Sequence, residues 1–114
     1  MAKGNKFTGG GMNNMNSMIK QAQKMQAEME RIQAETEEKT VEATAGGGAV
    51  SVVMKGSKEL VSVKLAPAVV DPDDIEMLED LIVAAVNEAT NKASELMEES
   101  MRSVTGNLNV PGLF

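Results

Sequence analysis

Lys20, Lys24 and Arg31 are the residues whose type and spacing could do chemistry in this 114-residue chain. In a heptad frame with Met15 at position a, Lys20 falls at f and both Lys24 and Arg31 fall at c, so a helix would present all three on one face. Gln23 lies beside them at b. A basic and amide face on a long helix can follow a row of phosphates, where cations displace counterions and amides hydrogen-bond to the backbone. The plainer alternative is a solvated face stitched by i,i+4 pairs such as Lys24–Glu28. On the pattern alone the solvated face is the stronger reading, because most charged helix faces only meet water. Lys3 and Lys6 would add phosphate contacts from a preceding arm, and Lys55, Lys58 and Lys64 could do so from a sheet.

The other candidate chemistries fail on residue type or context. There is no Cys and no His, which removes disulfides, thiolate nucleophiles, the common zinc ligands and the usual neutral-pH acid/base residue. Gly46-Gly47-Gly48 lacks the Lys and Ser/Thr of a phosphate-cradling loop and precedes a strand pattern, so it reads as a turn. Asp71, Asp73, Asp74, Glu76, Glu79 and Asp80 miss the spacing of a calcium loop and read as helix capping and a solvated face. No catalytic residue, metal or cofactor is expected, and the chain is expected not to be an enzyme. With no catalytic set, no small-molecule substrate is expected either; and the chain contains no apolar run long enough to cross a bilayer, so no membrane partner is expected.

The net charge of −6 is unevenly spread. Residues 1–27 hold Lys3, Lys6, Lys20 and Lys24 with no acid, giving +4. Residues 71–114 hold ten acids against Lys92 and Arg102, giving −8. One end of the molecule therefore carries a positive field while the whole stays acidic. Aromatics are confined to Phe7 and Phe114, so bases cannot be stacked as single-strand binders stack them; duplex is the better nucleic-acid ligand.

These residues need elements to position them. Residues 1–11, with three successive glycines, read as a flexible arm. Residues 12–39 read as one helix whose seam is Met15, Met18, Ala22, Met25, Met29, Ile32 and Thr36, at alternating spacings of 3 and 4. Such a helix is about 40 Å long, more than a small sheet can cover. Val41, Ala43 and Ala45, then Val50, Val52 and Met54, then Val61, Val63 and Leu65 alternate with polar residues across two turns, which predicts a three-stranded antiparallel meander. Asp71 as N-cap with Pro72 at the first helical position predicts a second helix over 72–104, capped by Gly106. The fold class is α+β: long helix, meander, long helix, as a single domain over 12–105 with a tail at 106–114. A thin core of Met, Val, Ala and Leu and an exposed sheet edge predict an elongated homodimer whose sheets meet and whose helices project.

The segment Met18-Ile19-Lys20-Gln21-Ala22-Gln23-Lys24-Met25-Gln26 resembles the opening helix of the YbaB/EbfC family of bacterial nucleoid-associated proteins. So do Ala45-Gly46-Gly47-Gly48-Ala49-Val50, the run from Val70-Asp71-Pro72 to Asp80-Leu81-Ile82, and Val110-Pro111-Gly112-Leu113-Phe114. The resemblance covers residues 12–114. It implies a tweezer-like homodimer that sits in the cytoplasm on the nucleoid and binds double-stranded DNA through its helical arms. It reverses the preference for a merely solvated face and assigns DNA contact to Lys20, Gln23, Lys24 and Arg31, with Lys3 and Lys6 behind them. The rival is a protein-binding adaptor or small chaperone clasping an apolar segment between Met-rich helices.

Overall fold

The computed structural model describes residues 2–107, with side chains described over 14–104. Its elements are helix α1 (Ala2–Glu38), strands β1 (Thr40–Ala45), β2 (Val50–Lys55) and β3 (Leu60–Leu65), a 3-10 turn at Pro67–Val69, and helix α2 (Ile75–Asn107). The strands pair antiparallel in the order β1-β2-β3, so the predicted α+β meander between two long helices is the observed fold.

The core lies between one face of the sheet and one stripe of α2. Ala43, Val50, Val52 and Met54 are buried against Ala85, Ala89 and Ala93. Those three alanines recur every four residues, and their small side chains let the helix backbone lie close on the pleat. Leu81 closes the end of this layer over Gly46. Gly46, Gly47 and Gly48 all have positive φ, at 64°, 66° and 95°, which explains a glycine run between β1 and β2.

α2 packs on β1 and β2 and leaves β3 at an uncovered edge. Lys92 of α2 reaches β1 and donates to the Glu42 carbonyl oxygen at 2.9 Å, which ties the helix to that side of the sheet. Val61, Val63 and Leu65 were predicted to share an apolar face, but the register breaks. Leu60 pairs with Met54 and Ser62 with Val53, so Val61 bulges out of the alternation. Leu60, Val61, Val63 and Leu65 are all exposed in the protomer.

The turn between β2 and β3 anchors α1. The Gly56 amide donates to the Lys39 carbonyl at 2.7 Å and the Ser57 amide to the Glu37 carbonyl at 3.3 Å. A Cβ at Gly56 would overlap the Thr36 carbonyl oxygen, so only glycine permits this approach. Lys55 adds ion pairs to Glu38 and to Glu59, both at 3.3 Å. Hydrogen bonding to Glu59 and then to Glu38 raises the pKa of the Lys55 ammonium. From that anchor α1 runs back along α2, with Ile32 to Lys39 opposite Leu96 to Ser103 and Thr36 buried between them. It then continues past the end of α2.

Three boundaries differ from the sequence reading. The second helix starts at Ile75, not at Pro72, because Asp71 is spent in a turn. Its Oδ1 accepts from the Asp73 amide at 2.9 Å and its carbonyl accepts from the Asp74 amide at 3.0 Å. Asp74 is the N-cap instead, its Oδ1 accepting from the Met77 amide at 3.2 Å. Gly106 lies inside the last turn of α2, not beyond it. α1 runs from Ala2 through the segment that composition assigned to an arm, although four glycines there weaken helix propensity by about 1 kcal/mol each. Most of the tail at 106–114 lies outside the described residues.

Candidate nucleic-acid interface

The seam residues position the basic face. Thr36 is buried and Ile32 half-buried, which fixes the rotation of α1 about its axis where it meets α2. That rotation carries outward along a rigid helix. Lys20, Gln23 and Lys24 are exposed on the projecting part, well beyond the α2 contact. Lys20 and Lys24 are one turn apart, about 6 Å along the axis. Among the described residues neither lysine enters an ion pair. The Lys24–Glu28 pair that would have made this a locally neutralised face does not form.

Arg31 sits differently. Its guanidinium donates to Glu28 at 2.7 Å and to Glu35 at 3.0 Å, clamped between carboxylates one turn before and one turn after. Those hydrogen bonds, Glu28 first and then Glu35, raise the pKa of the guanidinium. All three side chains are half-exposed, so the clamp is weak in stability terms and open to competition by a phosphate. The sequence reading named Arg31 without its acidic neighbours, although the i−3 and i+4 spacings that bring them together were in plain view. The arm is thus graded: bare cations far from the sheet, balanced charge near it. The side chains of Lys3 and Lys6 lie outside the described residues. Of the sheet lysines, Lys55 is committed to Glu38 and Glu59.

The opposite face of the arm is apolar and open. Met15 and Met18 are 63% and 68% exposed, and Met25 and Met29 are 38% exposed, so nothing among the described residues covers this part of the seam. A shallow groove runs along Met18, Ala22, Met25 and Met29 with Gln21 and Gln26 at its rim. Among the described residues no group of His, Cys, Asp or Glu is gathered closely enough to hold a metal ion. No helix among them is long and apolar enough to cross a membrane.

Comparison with known proteins identifies the family. Residues 12–108 match the YbaB/EbfC DNA-binding family. A nucleoid-associated protein of Alkaliphilus metalliredigens is 58% identical over 105 residues, covering 92% of each chain. One from Acetivibrio thermocellus is 57% identical over 115 residues, covering both chains fully. Among solved structures, an uncharacterized protein from Helicobacter pylori superposes with a TM-score of 0.60 at 21% identity, over 80% of this chain and 91% of that one, and so shares the fold. The helix–meander–helix protomer and these matches together establish that the chain belongs to the YbaB/EbfC DNA-binding family.

Proposed function

We propose that the protein binds duplex DNA as a homodimer, through phosphate contacts from both α1 arms, and thereby affects nucleoid organisation and gene expression. The observation that carries this is the exposed, ion-pair-free face of Lys20 and Lys24, with Gln23 between them, on a helix projecting beyond the rest of the fold. Arg31 joins when phosphate displaces Glu28 or Glu35, and Lys3 and Lys6 extend the contact beyond it. The arm offers no set of side chains comparable to a recognition helix, so binding follows the backbone more than the bases. The action is binding in the cytoplasm, at the nucleoid, with no reaction catalysed and no cofactor, membrane or small-molecule substrate involved.

Dimerisation is supported by the β3 edge. Leu60, Val61, Val63 and Leu65 form an exposed apolar strand with unpaired backbone groups on its outer side, and a second copy is the natural cover. Pairing there would join the two sheets and leave both α1 arms outside, as tweezers. Sedimentation of the wild type should give a dimer, and Val63→Lys should shift it toward monomer. DNA contact is tested by Lys20→Glu with Lys24→Glu. A folded dimer with unchanged affinity would show the face to be wrongly assigned. The open Met seam favours a second reading, an adaptor clasping an apolar segment. Saturable binding of an apolar peptide at the seam, without salt-sensitive DNA binding, would support it.

A further inference from the structure

We infer that the methionine seam of α1 is a second contact between copies of this chain: arms from two separate dimers cross seam to seam at Ala22. This face is distinct from the β3 edge and from the basic face. The β3 dimer enters only as the unit being linked. Three observations point to a second copy as the occupant.

The first is shape. Met18, Ala22, Met25 and Met29 line an open groove, with Gln21 and Gln26 at its rim. Nearer the sheet the same stripe is used to pack on α2, where Thr36 is enclosed and Ile32 half-buried. The seam is therefore a helix-packing surface whose outer part is covered by no described element. Ala22 is the small residue of that outer part, one turn from Met18 and one turn from Met25. Two helices approach closely where a small side chain stands at the crossing, at about 8 Å between axes. A ridges-into-grooves crossing of about 50° at Ala22 sets Met18 and Met25 of each arm around Ala22 of the other. Met is flexible enough to fill the space on either side. The crossing angle also carries each arm away from the α2 of the other copy.

The second is charge. None of the six groove residues is charged, in a chain where 25% of residues are. A rim of Lys or Glu would repel its own copy. Gln carries both a donor and an acceptor, so a rim of Gln21 and Gln26 can satisfy itself across a two-fold axis. The net charge of −6 opposes contact between copies at large. The neutral strip is where two copies can meet without like charges opposed. Lys20 and Lys24 lie on the other side of the helix, so the crossing leaves the basic face open.

The third is extent. From Met18 to Met29 the groove is about 16 Å long. A contact this short falls below the roughly 1,200 Å² of a stable interface, so one pair of arms associates weakly and reversibly. A dimer carries two arms, and pairing from dimer to dimer gains from multivalency.

The native chain has no Cys, so an engineered one reports proximity cleanly. Ala22→Cys, concentrated and mildly oxidised without DNA, should form a disulfide between chains. Ala27→Cys is the same exchange on the opposite face and should cross-link about tenfold more slowly. Equal rates would overturn the proposal. Sedimentation before and after oxidation separates this contact from the β3 edge. Cross-linking through Ala22→Cys should at least double the mass of the species present in dilute solution. If that species is a monomer, the β3 contact fails while the doubling still supports the crossing. An unchanged mass would put both arms within one dimer and overturn the proposal. In the Ala22→Cys background, Met18→Glu with Met25→Glu should slow cross-linking to the rate of Ala27→Cys, and Met18→Leu with Met25→Leu should preserve it. Fast cross-linking in the Glu variant would also overturn the proposal.

Discussion

The Arg31 guanidinium lies 2.7 Å from the Glu28 carboxylate, so the strongest hydrogen-bonding cation of the arm is already occupied before any DNA arrives. Phosphate must compete with Glu28 and with Glu35 on the other side. Glu28→Gln with Glu35→Gln should therefore tighten DNA binding, by roughly three- to tenfold at low salt, since like-charge repulsion of phosphate also falls. Titration of duplex DNA with wild type and variant at matched ionic strength checks this. Unchanged or weaker binding would mean that Arg31 does not meet DNA.

Lys20 and Lys24 carry the opposite prediction. Lys20→Gln with Lys24→Gln removes four cations from a dimer. If these and the two Arg31 side chains make about six phosphate contacts, the slope of log affinity against log salt should fall from about −5 to about −2. Circular dichroism should be unaltered, because both side chains are exposed and without ion pairs.

Affinity should stay flat across about pH 6 to 8, since the chain has no His and none of its side-chain types ordinarily titrates there. Anisotropy titrations across that window at fixed ionic strength test the point. A steep change would implicate a group outside the assigned face.

Gly56→Ala should destabilise the fold by about 3 kcal/mol, since its methyl group would overlap the Thr36 carbonyl oxygen and the backbone must move apart. The same movement would loosen the Gly56–Lys39 and Ser57–Glu37 hydrogen bonds that hold α1 to the sheet. Thermal unfolding measures the first effect.

Asp74→Ala should cost about 1 kcal/mol as the loss of a helix N-cap. Asp71→Ala should cost less, because Asp71 serves only a turn ahead of the helix. Denaturant midpoints that ranked the two the other way would restore Asp71 as the cap.

Much of this architecture was legible from period and punctuation. The switch from a 3–4 spacing to strict alternation at Val41, and the positive-φ glycines at 46–48, announce the helix-to-meander transition. The boundary of α2 was misplaced because Asp71-Pro72-Asp73-Asp74 satisfies the rules for a helix start and for an Asx turn alike. Only the hydrogen bonds to Asp73 and Met77 separate them. The bulge at Val61 was hidden because all of Leu60, Val61, Val63 and Leu65 are apolar and alternation cannot show which drops out. At the interface, Lys20 and Lys24 could be placed on one face by arithmetic alone. That Glu28 would choose Arg31 over Lys24 could not, since both partners lie within reach and the choice rests on the forked geometry of the guanidinium.

The measurement that bears most directly on the central claim is the salt dependence of duplex DNA binding by the wild-type protein, followed by fluorescence anisotropy over a range of salt concentrations. Phosphate gripping by two arms predicts saturable binding whose log affinity falls against log salt with a slope of about −5. A slope near zero, or no binding at low salt, would contradict it and leave the basic face of α1 as a solvated surface.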